Sequence, residues 1–223
     1  MPAEQQSSTV RQILRSLAVF AGELPEFHPQ AAPGTPQELF TAWLTEAIAA
    51  GVREPHAMTL STAGVDGTPS ARVLLLKDVG VGGWSFAAHA ASPKGRELAG
   101  TPAAALTFYW PQQARQVRLR GPVAPESPEL SAQDFLARPL GSRAEALVGM
   151  QSRPLDDPKN ILAATEESLA RLEREPDLVA AEWTLYTVSP QSVEFWQGDK
   201  QRKHTRLAYL RSDDGWDKQL LWP

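Results

Sequence analysis

The sequence has no cysteine among its 223 residues. This absence excludes a disulfide scaffold, a thiolate nucleophile and any cysteine-ligated metal or iron–sulfur cluster. Histidine is scarce too, and the spacing of His28, His56, His89 and His204 is not typical of a metal site, so we expect no bound metal. There is also no Gly-x-Gly-x-x-Gly motif, no Walker loop and no Gly-x-Ser-x-Gly elbow, which leaves dehydrogenase, kinase and hydrolase functions without support.

Long apolar runs and surplus positive charge are lacking as well. No apolar stretch approaches the roughly 18 residues that a membrane span needs, and the polar, acidic start is unlike a secretory signal. The net charge of −4 argues against a nucleic-acid partner. With 42% hydrophobic and 22% charged residues the composition is typical of a folded soluble protein. We therefore expect a cytoplasmic protein with no membrane and no nucleic-acid partner.

The N-terminal part of the chain shows helical periodicity interrupted by prolines. It predicts, in order, a disordered start, a helix, a linker and a second helix, over residues 1–7, 8–20, 24–36 and 36–50. We predict that residues 1–35 are an N-terminal helix and linker and that residues 36–223 form one domain.

After the second helix the hydrophobic period changes from 3.6 to 2, as in strands. Strands are predicted over residues 58–62, 70–77, 84–88, 103–109, 115–123, 183–188, 192–196, 206–211 and 216–221. Further helices are predicted over residues 93–99, 127–137, 143–148 and 158–174. Closely spaced strands joined by tight turns, such as Asp66-Gly67, indicate an antiparallel barrel with peripheral helices, an α+β fold.

A basic run near the C-terminus is the first candidate binding site. If this run is extended, Arg202, His204 and Arg206 point to the same side of a strand and repel each other unless an anion lies among them. Trp196 and Gly198 just upstream would suit a flat, phosphorylated ligand. The alternative is a solvated edge strand whose charges prevent aggregation.

Other polar residues could hold an anion or the edge of a flat ring. Ser92-Pro93 is typical of a helix start, where free backbone N–H groups and Lys94 suit a phosphate, although such a capped helix is common. Gln116 can both donate and accept hydrogen bonds, as the edge of a flavin or pyrimidine ring requires. Gln151-Ser152 offers a second amide–hydroxyl pair, or an ordinary turn.

Two further pairs of residues carry alternatives of their own. Arg72 and Lys77 end an apolar strand and are expected on opposite faces, where they grip a ligand or simply reach solvent. Arg138 and Ser142 could form a small anion nest, or Arg138 could neutralise a helix C-terminus.

Seven short motifs follow one another in a specific order: GVREP at 51–55, SARVLLLK at 70–77, KGREL at 94–98, FYW at 108–110, RP at 138–139, QS at 151–152 and EFWQG at 194–198. In these motifs the chain resembles the pyridoxamine 5′-phosphate oxidase family over about residues 24–223. The resemblance implies an antiparallel, Greek-key-like split β-barrel that binds FMN at a homodimer interface. It implies oxidation of pyridoxine or pyridoxamine 5′-phosphate to pyridoxal 5′-phosphate, with O2 as acceptor and release of H2O2.

The resemblance also assigns roles to single residues. The implied FMN contacts are Arg72, Val73, Leu74, Leu75, Leu76, Lys77, Ala87, Ala88, Lys94, Gln116, Gln151, Ser152, Trp196 and Arg206. The implied substrate contacts are Lys77, Arg138, Ser142, Arg202 and His204. Of these, Arg202 and His204 are the implied catalytic residues, which orient the substrate ring and manage protons.

The chain departs from the family pattern at several positions, which leaves the substrate open. Asp134 stands where the family usually has a phosphate-binding tyrosine, and Pro93 stands where it usually has an arginine. Phe86-Ala87 and His89-Ala90 are shared with the flavin oxidases of phenazine biosynthesis, which act on dihydrophenazine carboxylates. The alternatives are therefore a dihydrophenazine oxidase, or a non-catalytic protein that binds FMN or pyridoxal phosphate.

Overall fold

The computed structural model describes residues 2–223, with side chains from Thr9 onward. The described chain contains six α-helices: α1 (Pro2–Ser16), α2 (Pro36–Ala49), α3 (Pro93–Gly100), α4 (Pro128–Leu136), α5 (Leu140–Val148) and α6 (Lys159–Arg174). It contains nine strands: β1 (Ala57–Ala63), β2 (Pro69–Gly80), β3 (Gly83–His89), β4 (Ala103–Trp110), β5 (Arg115–Pro125), β6 (Trp183–Val188), β7 (Ser192–Gln197), β8 (Thr205–Ser212) and β9 (Gly215–Leu220). Both sets follow the predicted order.

The strands form a closed barrel with a three-stranded extension. Neighbouring strands run in the order β4-β1-β2-β3-β6-β5-β7-β8-β9, and an additional pairing of β4 with β5 closes a ring of six strands. All pairings are antiparallel. This architecture confirms the predicted antiparallel split barrel with peripheral helices. Strand β5 lies at the junction, since it pairs with β4, β6 and β7.

Aromatic side chains fill the barrel, and α2 covers it. Phe40 of α2 is fully buried, and its ring centroid lies 4.7 Å from that of Phe108 and 5.7 Å from that of Trp84. The helix begins with a capping box, in which Thr35 and Glu38 satisfy each other's backbone N–H groups. Gly51 follows its C-terminus with φ +71°, a left-handed conformation that glycine adopts without strain.

The proline-rich segment before α2 packs against α2 and the extension strands β8 and β9. The Tyr209 hydroxyl donates to the Pro33 carbonyl over 2.9 Å, and Lys218 Nζ donates to the Ala32 carbonyl over 2.7 Å. The Phe27 ring meets the Trp43 ring edge-on at 5.0 Å. Burial raises the pKa of Tyr209 to about 12, so its hydroxyl stays protonated as the donor of this contact.

The first helix differs from its prediction. It covers Pro2–Ser16, whereas disorder was predicted over residues 1–7 and a helix over residues 8–20. The prediction of disorder is wrong for residues 2–7, and residue 1 lies outside the described residues. Alanine, glutamate and glutamine have high helix propensity, so the polar start continues the helix. The helix ends before Phe20, which has φ +55°.

Candidate functional site

Three predicted cofactor residues lie side by side on β5 and the two extension strands next to it, β7 and β8. Gln116 of β5 is the cross-strand partner of Trp196 of β7, and Trp196 is the partner of Arg206 of β8. Their chain neighbours Val117, Phe195 and Leu207 are buried, so these three side chains point away from the core. Because direct cross-strand partners are close neighbours, Gln116, Trp196 and Arg206 form one continuous surface, here called the outer row.

A half-buried carboxylate fixes the arginine of the outer row. Glu194 Oε1 accepts a hydrogen bond from Arg206 Nε over 2.9 Å, and Glu194 Oε2 accepts one from Arg118 Nη2 over 2.6 Å. Burial alone would raise the pKa of Glu194, but the hydrogen bonds from Arg206 and Arg118 outweigh it and lower the pKa. Arg206 also donates to the Trp222 carbonyl over 2.6 Å. The sequence prediction missed Glu194, although it belongs to the EFWQG motif.

The loop between β7 and β8 carries the predicted catalytic residues. The supposition that this run is extended does not hold for Arg202 and His204, because Arg202 has φ +68° and β8 begins at Thr205, close to the predicted start of the strand at residue 206. Asp199 Oδ1 accepts hydrogen bonds from the backbone N–H groups of Gln201 and Lys203 over 2.7 and 3.1 Å. An aspartate that bonds to the backbone ahead of it favours a turn over a strand.

The same turn orients the imidazole of His204. The backbone N–H of Asp199 donates to His204 Nδ1 over 3.0 Å, so the proton of the neutral ring lies on Nε2. The His204 ring lies 5.1 Å from the Trp196 ring and 5.7 Å from the Phe20 ring. Phe20 was not predicted, because a single aromatic residue in an irregular N-terminal segment carries no periodic signal.

A buried arginine supports the end of β7 beneath this loop. The Arg115 side chain is 2% exposed; its Nε donates to Gln197 Oε1 over 2.9 Å and its Nη1 donates to Glu46 Oε2 over 2.5 Å. Its guanidinium carbon lies 4.2 Å from the centroid of the Trp43 ring. Burial lowers the pKa of Arg115, and the hydrogen bond to Glu46 opposes that shift. Gln197 in turn donates to the Gln113 carbonyl over 2.9 Å, which ties the loop to the core.

A second group of polar residues, the α3 cluster, surrounds the start of that helix. Ser92 caps α3 as predicted, accepting from the Gly95 N–H over 3.3 Å, and also accepts from Lys94 Nζ over 3.2 Å. Arg72 Nη2 lies 3.1 Å from Glu97 Oε2. Burial lowers the pKa of Lys94, the nearby Arg72 lowers it further, and Glu97 opposes the shift. Two cations with one carboxylate at a helix N-terminus fit a phosphate group.

Close packing at this helix start requires a glycine. A Cβ on Gly95 would lie 2.1 Å from the Ala90 carbonyl oxygen, far inside any real contact distance. Gly95 therefore lets the first turn of α3 lie against the end of β3.

A third group, the α4 cluster, contains the predicted phosphate grip of the substrate. Lys77 Nζ lies 3.1 Å from Asp134 Oδ1, and Trp183 Nε1 donates to Asp134 Oδ2 over 2.8 Å. The Arg138 guanidinium carbon lies 4.1 Å from the centroid of the Trp183 ring. Arg138 Nη1 is buried without a hydrogen-bond partner among the described residues. Ser142 lies in the first turn of α5, four residues after this arginine.

The remaining predicted residues are spread over the barrel. On β2, Val73 and Leu75 are exposed, whereas Leu74 and Leu76 pack against the core. Ala87 is half-buried and Ala88 is buried on β3. Gln151 and Ser152 follow α5, where Gln151 lines a cavity of about 460 Å³ between α5 and α6. Across residues 9–223, no hydrogen bond or ion pair joins the outer row to either cluster.

Comparisons with known proteins match nearly the whole chain. A model of the pyridoxamine 5′-phosphate oxidase family matches residues 44–171, and one of the pyridoxine 5′-phosphate oxidase C-terminal dimerisation region matches residues 183–223. The chain is 44% identical over 191 residues to a pyridoxine/pyridoxamine 5′-phosphate oxidase of Thermosynechococcus vestitus, covering 84% of this chain and 89% of the relative. It is 42% identical over 196 residues to the protein of that name in Burkholderia vietnamiensis, covering 86% and 91%.

Solved structures show the same fold. PhzG from Burkholderia lata 383, in complex with tetrahydrophenazine-1-carboxylic acid, superposes with a TM-score of 0.84 at 30% identity, covering 91% of this chain and all (100%) of that chain. A pyridoxamine 5′-phosphate oxidase-related, FMN-binding protein of Nostoc punctiforme superposes with a TM-score of 0.71 at 17% identity, covering 85% and 98%. Within the described part of the chain, no helix is long and apolar enough to cross a membrane.

Proposed function

We propose, since the chain belongs to the pyridoxamine 5′-phosphate oxidase family, that it oxidises pyridoxine or pyridoxamine 5′-phosphate to pyridoxal 5′-phosphate with FMN as cofactor. O2 takes up two electrons and two protons and leaves as H2O2; with the amine substrate, water hydrolyses the resulting imine and ammonia is released. The observation that carries this proposal is the outer row, because register alone places Gln116, Trp196 and Arg206 side by side, next to the His204 ring.

The residues of the α3 cluster and the outer row fit FMN. Arg72 and Lys94 would hold its phosphate, since Lys94 lies in the first turn of α3 and Arg72 is close enough to affect its pKa. Lys94 donates to the neutral hydroxyl of Ser92 and to no carboxylate among the described residues. Gln116 offers a donor and an acceptor to the edge of the ring system, and Trp196 offers a flat apolar surface. FMN supplies the two-electron redox chemistry, while these residues bind and orient it.

The loop after β7 and the α4 cluster act on the substrate. Lys77, Arg138 and Ser142 bind its phosphate, which fixes the position of the ring. Arg202 orients the ring, and His204 donates a hydrogen bond from Nε2 to the oxygen or nitrogen on the reacting carbon. Oxidation removes a hydride from that carbon and a proton from the attached oxygen or nitrogen. Because Nε2 already carries a proton, His204 positions this atom by donating to it, and the released proton passes to water.

A homodimer completes the site in this proposal. Val73 and Leu75 are 67% and 46% exposed on the outer face of β2, the strand that carries six of the implied FMN contacts. Exposed apolar side chains on one strand face are typical of an interface. The match of residues 183–223 to a dimerisation region supports the same arrangement. A second copy would bring its outer row toward the α3 and α4 clusters of the first, which one chain leaves unconnected.

The visible spectrum of the FMN-loaded protein tests the proposed function. Anaerobic addition of pyridoxine 5′-phosphate is expected to bleach the flavin band, because hydride transfer reduces FMN. Pyridoxine without the phosphate should bleach it far more slowly. Arg202→Ala should slow bleaching while FMN stays bound, and Lys203→Ala, in the same loop, serves as the matched control. A flavin band that stays intact with both pyridoxine 5′-phosphate and pyridoxamine 5′-phosphate would overturn the proposed function.

A second candidate function has its own support. The likeness to PhzG and the carboxylate of Asp134 inside the expected phosphate grip favour a substrate of the dihydrophenazine-carboxylate type. Bleaching by a dihydrophenazine carboxylate, but not by pyridoxine 5′-phosphate, would select this candidate. Tight FMN binding without bleaching by any of these compounds would instead indicate a non-catalytic binding protein.

A further inference from the structure

Asp134 has no role in the proposed reaction, yet it lies among the residues expected to bind the substrate phosphate. We propose that Asp134 tunes substrate specificity by charge: it weakens the binding of a phosphate dianion more than that of a singly charged group such as a carboxylate. This inference rests on the proposed function, because it concerns the same substrate site.

The carboxylate of Asp134 is held in place by two partners. Asp134 Oδ1 lies 3.1 Å from Lys77 Nζ, and the Asp134 side chain is largely buried. Trp183 Nε1 holds the other carboxylate oxygen over 2.8 Å. Because both oxygens have partners, the carboxylate is fixed in the cluster, and a substrate anion must share Lys77 with it.

Arg138 is the second cation of the α4 cluster, and Asp134 does not neutralise it through a hydrogen bond or ion pair among the described residues. Arg138 stacks on the face of the same Trp183 ring whose edge holds Asp134, so one indole positions both charged groups. Arg138 Nη1 is buried and has no hydrogen-bond partner among the described residues. A buried donor without a partner is costly, and an oxygen of a bound anion would satisfy it. The start of α5, which has no side-chain cap, adds free N–H groups beside it.

The α3 cluster pairs its lysine differently from the α4 cluster. There the carboxylate of Glu97 is bonded to Arg72 and Thr62, while Lys94 Nζ donates to the neutral hydroxyl of Ser92. Lys94 of the α3 cluster therefore makes no direct contact with a carboxylate of the described chain and can pair with a ligand anion, whereas Lys77 of the α4 cluster is already paired with a carboxylate. The repulsion between Asp134 and a bound anion grows in proportion to the charge of that anion.

The experiment measures dissociation constants of three ligands that share one ring. They are pyridoxal 5′-phosphate, 5-pyridoxic acid and pyridoxal, which at pH 8 carry about two, one and no charges on the group at position 5. Binding to the FMN-loaded protein is measured by titration calorimetry for the native protein and for Asp134→Asn, whose amide oxygen can still accept from Trp183.

Removing the charge of Asp134 is expected to tighten phosphate binding by at least about tenfold. The carboxylate should gain about threefold, the square root of that factor, because it carries half the charge. Pyridoxal should bind unchanged. Asp213→Asn, on the exposed turn between β8 and β9, makes the same change in net charge and should alter none of the three constants.

Equal gains for all three ligands, an unchanged constant for the phosphate, or no binding by any variant would overturn the inference. Thermal melting checks folding, and Asp134→Ser removes the same charge if the asparagine variant does not fold. Failure of the proposed function is separately visible, because flavin bleaching measures turnover whereas these ratios measure binding alone.

Discussion

The backbone N–H of Asp199 lies 3.0 Å from Nδ1 of His204 and donates to it. This contact leaves Nε2 as the one ring nitrogen that can carry the proton of the neutral imidazole. The side chain of Asp199 builds the turn that holds its own N–H in place. A single aspartate therefore sets both the path of the loop and the hydrogen-bonding role of the histidine.

Two replacements of His204 distinguish the role of Nδ1 in the loop from the role of Nε2 as a donor. Asparagine places an oxygen near the position of Nδ1, so His204→Asn should keep the loop but lose the donor at Nε2, and we expect kcat to fall by about 100-fold or more. His204→Gln places an amide nitrogen near Nε2 and should keep more activity. Stopped-flow measurement of flavin reduction checks this, with FMN affinity as the control. Equal rates for the native protein and His204→Asn would rule out a role for the donor.

Lys94 makes FMN binding depend on pH. Burial and Arg72 lower the pKa of Lys94, so its ammonium loses the proton at a lower pH than an ordinary lysine does. Because the charged form binds phosphate, FMN affinity should decrease as the pH rises through this lowered pKa. The stability of the FMN-free protein should depend on pH with the opposite sign. The buried ammonium of Lys94 lowers the free energy of unfolding below its pKa, and this loss of stability disappears as the pH rises and Lys94 loses its proton.

The variant Lys94→Met tests this assignment. We expect its FMN affinity to fall by about 10- to 100-fold and to lose the alkaline decrease. Riboflavin lacks the phosphate, so its weaker binding should be the same in both proteins. Fluorescence quenching of the flavin on binding gives all four constants. An equal loss of FMN and riboflavin affinity would mean that Lys94 does not contact the phosphate.

The exposed face of β2 should be an interface. Val73→Glu places a charge there and is expected to convert a dimer into monomers that no longer retain FMN, because a buried unpaired charge costs several kcal/mol. Val81→Glu makes the same replacement at a residue that is 98% exposed after β2 and should leave the dimer intact. Sedimentation velocity distinguishes the two outcomes. A Val73→Glu protein that remains dimeric would place the interface elsewhere.

Glu46 should matter more for stability than its half-exposed position suggests. Glu46→Ala leaves the buried Arg115 with Gln197 as its remaining hydrogen-bond partner, and we expect a loss of about 1–3 kcal/mol in the free energy of unfolding. Glu167→Ala, on the exposed side of α6, makes the same change in helix propensity and should cost far less. Urea denaturation measures both. In an Arg115→Met protein, Glu46→Ala should cost little more stability than Glu167→Ala, since the buried guanidinium that Glu46 pairs with is then absent.

Local chemistry made most of the elements predictable. Alternating side chains and the Asp66-Gly67 turn identify the hairpin of β1 and β2, and Ser92-Pro93 identifies the start of α3. The basic run misled because its residues alternate like those of a strand, while Asp199, just upstream, offers the backbone hydrogen bonds that favour a turn. Reading Gly198-Asp199 as a turn signal would have corrected this prediction.

Contacts between distant parts of the chain were not predictable in this way. The packing of Phe20 on His204 and the ion pair of Lys77 with Asp134 join segments that have no common period or motif. The sequence indicates that Asp134 is unusual for its family, but not that it pairs with Lys77. The outer row likewise depends on the register of three strands, which follows from packing of the barrel as a whole.

The six-stranded ring closes through the pairing of β4 with β5 and needs no hydrogen bond from β7, β8 or β9. The strands that bear Trp196, the His204 loop and Arg206 thus lie outside this hydrogen-bonded ring, although their inward side chains share its hydrophobic core. Mutations of their outward-facing residues can change what the protein recognises without opening the ring. Evolution within this architecture can therefore explore new substrates on that outer face while the ring and the shared core preserve the fold.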